Sequence, residues 1–178
     1  MIGEFSARAK SSNNNARVAF FVLLAASTLT FVASYFISPS YKGIIGLFGI
    51  ALITASVLIF TKYVSCEYYY DVTWDTDGTP VFVVRQIIGK RQSTLCRIAL
   101  SDIVGAKMES VSERRAHKTP VGYRKYTYFP TLIPAGSCRL TVSNRYEKAE
   151  ILVEVNEEFK NLLLSYSLEA RAGITDEE

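Results

Sequence analysis

The sequence predicts a membrane α-helical hairpin of two transmembrane helices, followed by a mainly-β barrel of seven strands capped by a C-terminal α-helix. Three observations carry that prediction. Residues 18–37 (VAFFVLLAASTLTFVASYFI) hold no charge over twenty positions, and residues 43–61 (GIIGLFGIALITASVLIFT) hold none over nineteen. Roughly 20 apolar residues, rising about 1.5 Å each, span the ~30 Å hydrocarbon core of a bilayer. From Glu67 onward the pattern changes to short period-two runs punctuated by turn residues, and after Asn156 it changes again to helical spacing.

Taken in order, residues 1–16 read as a flexible cytoplasmic tail, because Ser11, Ser12, Asn13, Asn14 and Asn15 follow no apolar period. Residues 17–63 form the hairpin. The first apolar run is longer than the roughly 7–15 residues of a signal-peptide core, so it is expected to be retained. Only residues 38–42 separate the runs, so the spans are antiparallel. Arg8, Lys10 and Arg17 precede the first span and Lys62 follows the second, whereas the connection carries Lys42 alone. That bias predicts a multi-pass protein of the inner cell membrane with both termini cytoplasmic. Cys66, Cys96 and Cys138 are odd in number and show no metal-ligand spacing, which suits free thiols.

Seven strands are expected over 67–75, 80–88, 91–100, 103–110, 121–129, 137–143 and 149–155. In the first, Tyr68, Tyr70, Val72 and Trp74 share one face. Asp77-Gly78 and Gly89-Lys90 supply the first two turns. Later strands place Cys96, Ile98 and Leu100 on one side, then Val104, Ala106 and Met108 opposite Lys107 and Glu109, then Cys138, Leu140 and Val142 opposite Arg139. Asn156 caps the helix that follows, Glu157 and Glu158 suit its positive end, and Phe159, Leu162, Leu163 and Tyr166 make its apolar face, with Gly173 placed to end it. Residues 173–178 are an acidic tail.

The stretches EYYYDVTWD (67–75), IALSDIVGAKME (98–109) and EEFKNLLLSY (157–166), in this element order, resemble those of bacterial membrane proteins with a pleckstrin-homology-like (PH-like) domain. The resemblance covers roughly 64–172 and implies a cytoplasmic PH-like barrel acting as a membrane-tethered binding or scaffold module. The chain departs from phosphoinositide-binding PH domains: its first hairpin is acidic (Asp71, Asp75, Asp77) and its second strand offers only Arg85. The resemblance therefore carries no phosphoinositide site.

Motif by motif, enzymatic readings fall away. Asp75-Thr76-Asp77-Gly78-Thr79 matches the D-x-D-G-T of dehalogenase-like phosphotransferases, but that chemistry needs Mg²⁺ and a helix-flanked parallel sheet, and here a strand resumes at once. An Asp- and Gly-rich hairpin turn accounts for the same residues. His117, the sole histidine, has no marked nucleophile near it in sequence. No cofactor, metal or nucleic acid is expected. The function expected is a non-catalytic module at the inner leaflet, contacting anionic phospholipid headgroups or a protein partner. Counting strand parity as an antiparallel meander returns Lys90, Arg91, Arg114, Arg115 and Lys118 to the membrane end beside Lys62, while Arg124 and Lys125 divide between the two faces of a strand. A second reading is an accessory subunit of a transporter or channel, packing through Gly43, Gly46 and Gly49. A phosphatase at Asp75 and Asp77 is the remotest.

Overall fold

A computed structural model describes residues 5–8, 14–144 and 147–175. Lys10, residues 11–13, Arg145, Tyr146 and the acidic residues 176–178 lie outside the described residues. The chain divides into two units: Ser11–Cys66 with Thr131–Ile133, and Met1–Lys10 with Glu67–Pro130 and Pro134–Glu178.

In the first unit, α1 (Asn14–Tyr35) and α2 (Pro39–Ile59) pack along each other, and α2 runs on into one π-helical turn, Phe60–Val64. Both helices are long and apolar enough to cross a membrane. They begin four residues earlier than the apolar runs because helix formation needs no apolar residue at its first turn. Pro39 sits at the start of α2, where its fixed φ suits the helix and its missing N–H is not required. Two reciprocal hydrogen bonds fasten the pair: Ser27 Oγ donates to the Gly49 carbonyl at 3.0 Å, and Ser56 Oγ to the Phe20 carbonyl at 3.2 Å. Thr28, Thr30, Thr54 and Thr61 instead donate to carbonyls three or four residues back in their own helices. Each hydroxyl thus has an acceptor that needs no water, the condition for a polar group in hydrocarbon. The outward side chains, among them Val22, Leu29, Leu47 and Leu58, are exposed and apolar.

The second unit holds two four-stranded sheets and a terminal helix. The strands are β1 (Phe5–Arg8), β2 (Cys66–Trp74), β3 (Pro80–Ile88), β4 (Arg91–Ala99), β5 (Ile103–Ser110), β6 (Arg124–Tyr128), β7 (Gly136–Ser143) and β8 (Lys148–Val153). The six-residue α3 (Val111–Ala116) follows β5, and α4 (Glu157–Thr175) ends the chain. One sheet has the order β1-β2-β3-β4 and the other β5-β7-β8-β6, with β6 parallel to β8.

Four expectations are corrected here. The described residues hold eight strands rather than seven, in two separate sheets that do not close into one barrel. The extra strand lies inside the expected tail: Phe5–Arg8 pairs antiparallel with the open edge of β2, and the Phe5 ring lies 5.4 Å from that of Phe159. The chain changes sheet at a 3₁₀ turn, Leu100–Asp102, so β4 and β5 are not neighbours and the meander stops at β4. A bulge between Ile103 and Gly105 shifts parity at the start of β5, burying Ile103 and exposing Val104.

The core sits where the sheets and α4 meet. Tyr70, Phe82 and Phe159 form a ring triangle with centroids 6.3–6.4 Å apart, surrounded by Leu100, Ile103, Leu140, Ile151, Val153 and Leu163, all essentially inaccessible. Each such side chain contributes roughly 1.5–3 kcal/mol through burial. The Tyr70 hydroxyl ties the two sheets: it donates to the Tyr128 carbonyl at 2.8 Å and accepts from the Glu154 N–H at 3.2 Å. Burial pushes its ionisation well above the usual phenol range. Asn156 caps α4 as expected, its Oδ1 accepting from the Phe159 N–H at 2.9 Å. Trp74, on the same strand face as Tyr68, Tyr70 and Val72 by period, is 42% exposed at the end of β2.

Candidate functional site

The basic segment 111–125 is built from a helix start that the sequence spells as S-x-x-E. The Glu113 N–H donates to Ser110 Oγ at 3.3 Å while the Ser110 N–H donates to the Glu113 carboxylate at 2.8 Å, a reciprocal capping box. These bonds hold the Glu113 carboxyl below the usual carboxylate range.

The helix so nucleated does not present its two arginines alike. Arg114 turns inward: Nη1 donates to Ser137 Oγ and Nη2 to the Pro134 carbonyl, both at 3.3 Å, and its guanidinium lies 5.1 Å from the Phe129 ring centroid. It anchors the helix more than it offers charge to a partner. Arg115 and Lys118 are exposed.

Between them and the sheet lies a network that period-two parity had placed on the solvent face. Arg139 on β7 makes a two-pronged pair with Glu109 on β5, Nε to Oε1 at 2.7 Å and Nη2 to Oε2 at 2.6 Å, and its Nη1 donates to Glu150 Oε2 on β8 at 2.6 Å. The other Glu150 oxygen meets His117 Nε2 at 2.9 Å. The three sheet side chains are at most 5% exposed and His117 is 31% exposed. The Arg139 guanidinium holds the Glu109 carboxyl below its usual range, and the Glu109 carboxylate pushes the Arg139 guanidinium up. Sequence reasoning missed Glu109, Arg139 and Glu150. Their alternation reads as an outward polar face, and only a covering element converts that face into an interior.

Beyond His117 the chain makes a tight turn, with the Tyr123 N–H donating to the Pro120 carbonyl at 3.1 Å and Gly122 at φ +86°, a backbone that glycine adopts without strain. Val121 stands at the apex, fully exposed. Arg124 and Lys125, the first residues of β6, are also exposed. Arg124 lies 3.5 Å from Glu147.

The other sequence-predicted cations are distributed as follows. Lys90 follows Gly89, at φ +60°, in the two-residue β3–β4 turn and Arg91 opens β4 opposite Ile88; both cations are exposed. Lys62 lies in the π-helical turn, its Nζ 5.4 Å from the Tyr63 ring centroid. Among the described residues, Lys62, Lys90, Arg91, Arg115 and Lys118 form no ion pair. Because the chain changes sheet after β4, strand parity alone does not bring the α3 cations to the end occupied by Lys90 and Arg91.

Of the three glycines on α2, only Gly49 serves the hairpin: a Cβ there would meet the Phe31 ring at 3.0 Å, while one at Gly43 or Gly46 would meet nothing within 4 Å. Asp75-Thr76-Asp77-Gly78-Thr79 is the β2–β3 turn, closed by Asp75 N–H to the Thr79 carbonyl at 2.8 Å. Asp75 accepts from the Thr76 N–H and pairs with Arg97 at 2.5 Å; the Thr76 N–H bond leads in holding its carboxyl low. Burial pushes the Cys96 thiol up to about 11 and the Cys138 thiol to about 12, so neither is a ready nucleophile. A cleft of about 360 Å³ opens between β4 and β6, floored by Val142, Ala149 and Ile151 and walled by the parallel rings of Tyr126 and Tyr128. Compared with protein-family models, curated proteins and solved structures, the chain matches none.

Proposed function

We propose that this chain is a non-catalytic, membrane-tethered module of PH-like character, whose β unit docks on the anionic phospholipid headgroups of the inner leaflet. The observation that carries the reading is the set of exposed cations Lys90, Arg91, Arg115 and Lys118, which form no ion pair among the described residues, in a chain with two helices long and apolar enough to cross a bilayer. Each cation brought to an anionic surface contributes about 1 kcal/mol. Pairing of β1 with β2 supports the topology this requires: the strands entering and leaving the hairpin are neighbours in one sheet, which an even number of crossings permits. The cation bias around the spans favours the cytoplasmic side.

The test uses the full-length protein in nanodiscs of phosphatidylcholine, with or without phosphatidylglycerol. Amide hydrogen exchange at the β3–β4 turn and at α3 is expected to slow in the anionic discs and to recover at high salt, as screening dictates. Identical exchange in both discs rejects electrostatic docking.

A further inference from the structure

We infer that the turn 120–123 is a bilayer-inserting fingertip, with Val121 entering the headgroup–acyl boundary while the cations around it engage lipid phosphates. This rests on the membrane-docking reading above and names the residue that goes into the lipid.

A single exposed apolar side chain is ordinary on any protein surface. Val121 is distinguished by three further facts. Its exposure, 103%, is the highest of any large apolar residue among the described residues, exceeding every lipid-facing side chain of α1 and α2. It stands at the apex of a tight turn shaped by Gly122, so nothing in its own loop folds over it. It is also framed mainly by positive charge: residues 111–125 contain five cations (Arg114, Arg115, Lys118, Arg124, Lys125) against one carboxylate, Glu113, a net of plus four, with Glu147 from outside the segment facing Arg124. An apolar tip with basic flanks is the arrangement that partitions into an anionic interface, since apolar burial and phosphate attraction act together.

The loop is also held before it binds. His117 meets Glu150 at 2.9 Å, tying the loop root to the buried Arg139–Glu109 pair, and Arg114 fastens α3 to the Pro134 carbonyl and Ser137. A loop already fixed at its root loses little freedom on docking, so more of the contact energy appears as affinity. Arg115, Lys118 and Lys125 are left for the phosphates, while Arg124 already faces Glu147 at 3.5 Å. Arg114 is not, because its donors are committed inside.

The experiment places tryptophan at the tip. Full-length Val121→Trp is compared with wild type, whose lone Trp74 gives the background, in nanodiscs whose acyl chains carry bromine as a quencher. In phosphatidylglycerol-containing discs the variant is expected to show blue-shifted emission and quenching beyond wild type, both reduced in phosphatidylcholine alone. Full-length Val121→Asp is expected to lose roughly tenfold of the exchange protection at 117–123, the scale of one buried valine. No added quenching of Val121→Trp in the anionic discs overturns the insertion. If the β3–β4 turn still shows salt-sensitive protection in that case, insertion alone falls and docking stands. If that protection is absent too, both readings fall.

Discussion

Arg139 lies between two carboxylates at 2.6–2.7 Å in a place almost closed to water. Removing one member of such a buried group costs more than its bonds contribute, because the partners are left charged without a counter-ion. Arg139→Met is therefore expected to lose roughly 3–5 kcal/mol of stability at neutral pH, measured by denaturant melting of the full chain in detergent. The pH dependence separates charge from packing. In the wild type the Glu109 carboxyl is depressed below its usual 4.5, so its contribution is complete above that pH and is lost as pH falls through the lower, folded-state value. In Arg139→Met desolvation without a counter-charge raises the Glu109 pKa, and stability is expected to rise as pH falls. A variant that follows the wild-type acid profile contradicts the assignment. At this scale legibility was mixed. Tyr70, Leu140 and Phe159 were readable as core from periodicity, but Glu109 and Arg139 were not, because alternation reports which face a residue occupies and not whether something covers that face. His117, which follows α3 and meets Glu150, comes after a helix start that Ser110 and Glu113 spell in the sequence.

Among the elements, punctuation decided what could be read. The bounds of β3 and β5 emerge as expected because Pro80, Gly89 and Ser101-Asp102 bracket them. β1 could not be read: four residues, FSAR, carry no period, and their strand exists only because β2 offers an open edge. The change of sheet at Leu100–Asp102 was equally silent, since a 3₁₀ turn between sheets and a hairpin turn within one use the same residue types. In the hairpin, Gly49→Leu is expected to push Phe31 aside and weaken the Ser27 bond, lowering the melting temperature in detergent by several degrees. Gly46→Leu, facing open space, is expected to leave that melt unchanged. If native-detergent mass shows an assembly that Gly46→Leu dissolves, the accessory-subunit reading gains over simple tethering.

For the whole molecule, two helices long and apolar enough to cross a membrane, set between paired strands, lead to an expectation about compartments. Reporters fused at residue 1 and at residue 178 are expected to lie on the same side of the membrane, the cytoplasmic one, by protease accessibility in intact cells. A reporter pair split across the bilayer is incompatible with β1 beside β2. The same pairing has a temporal consequence. β1 is synthesised before both hydrophobic segments, and its partner β2 only after them, so the pair cannot form until both helices have been made. Until β1 docks, the edge of β2 stays unpaired. A bare sheet edge is an open template for other strands, so the four residues of β1 guard this sheet against pairing with a foreign chain.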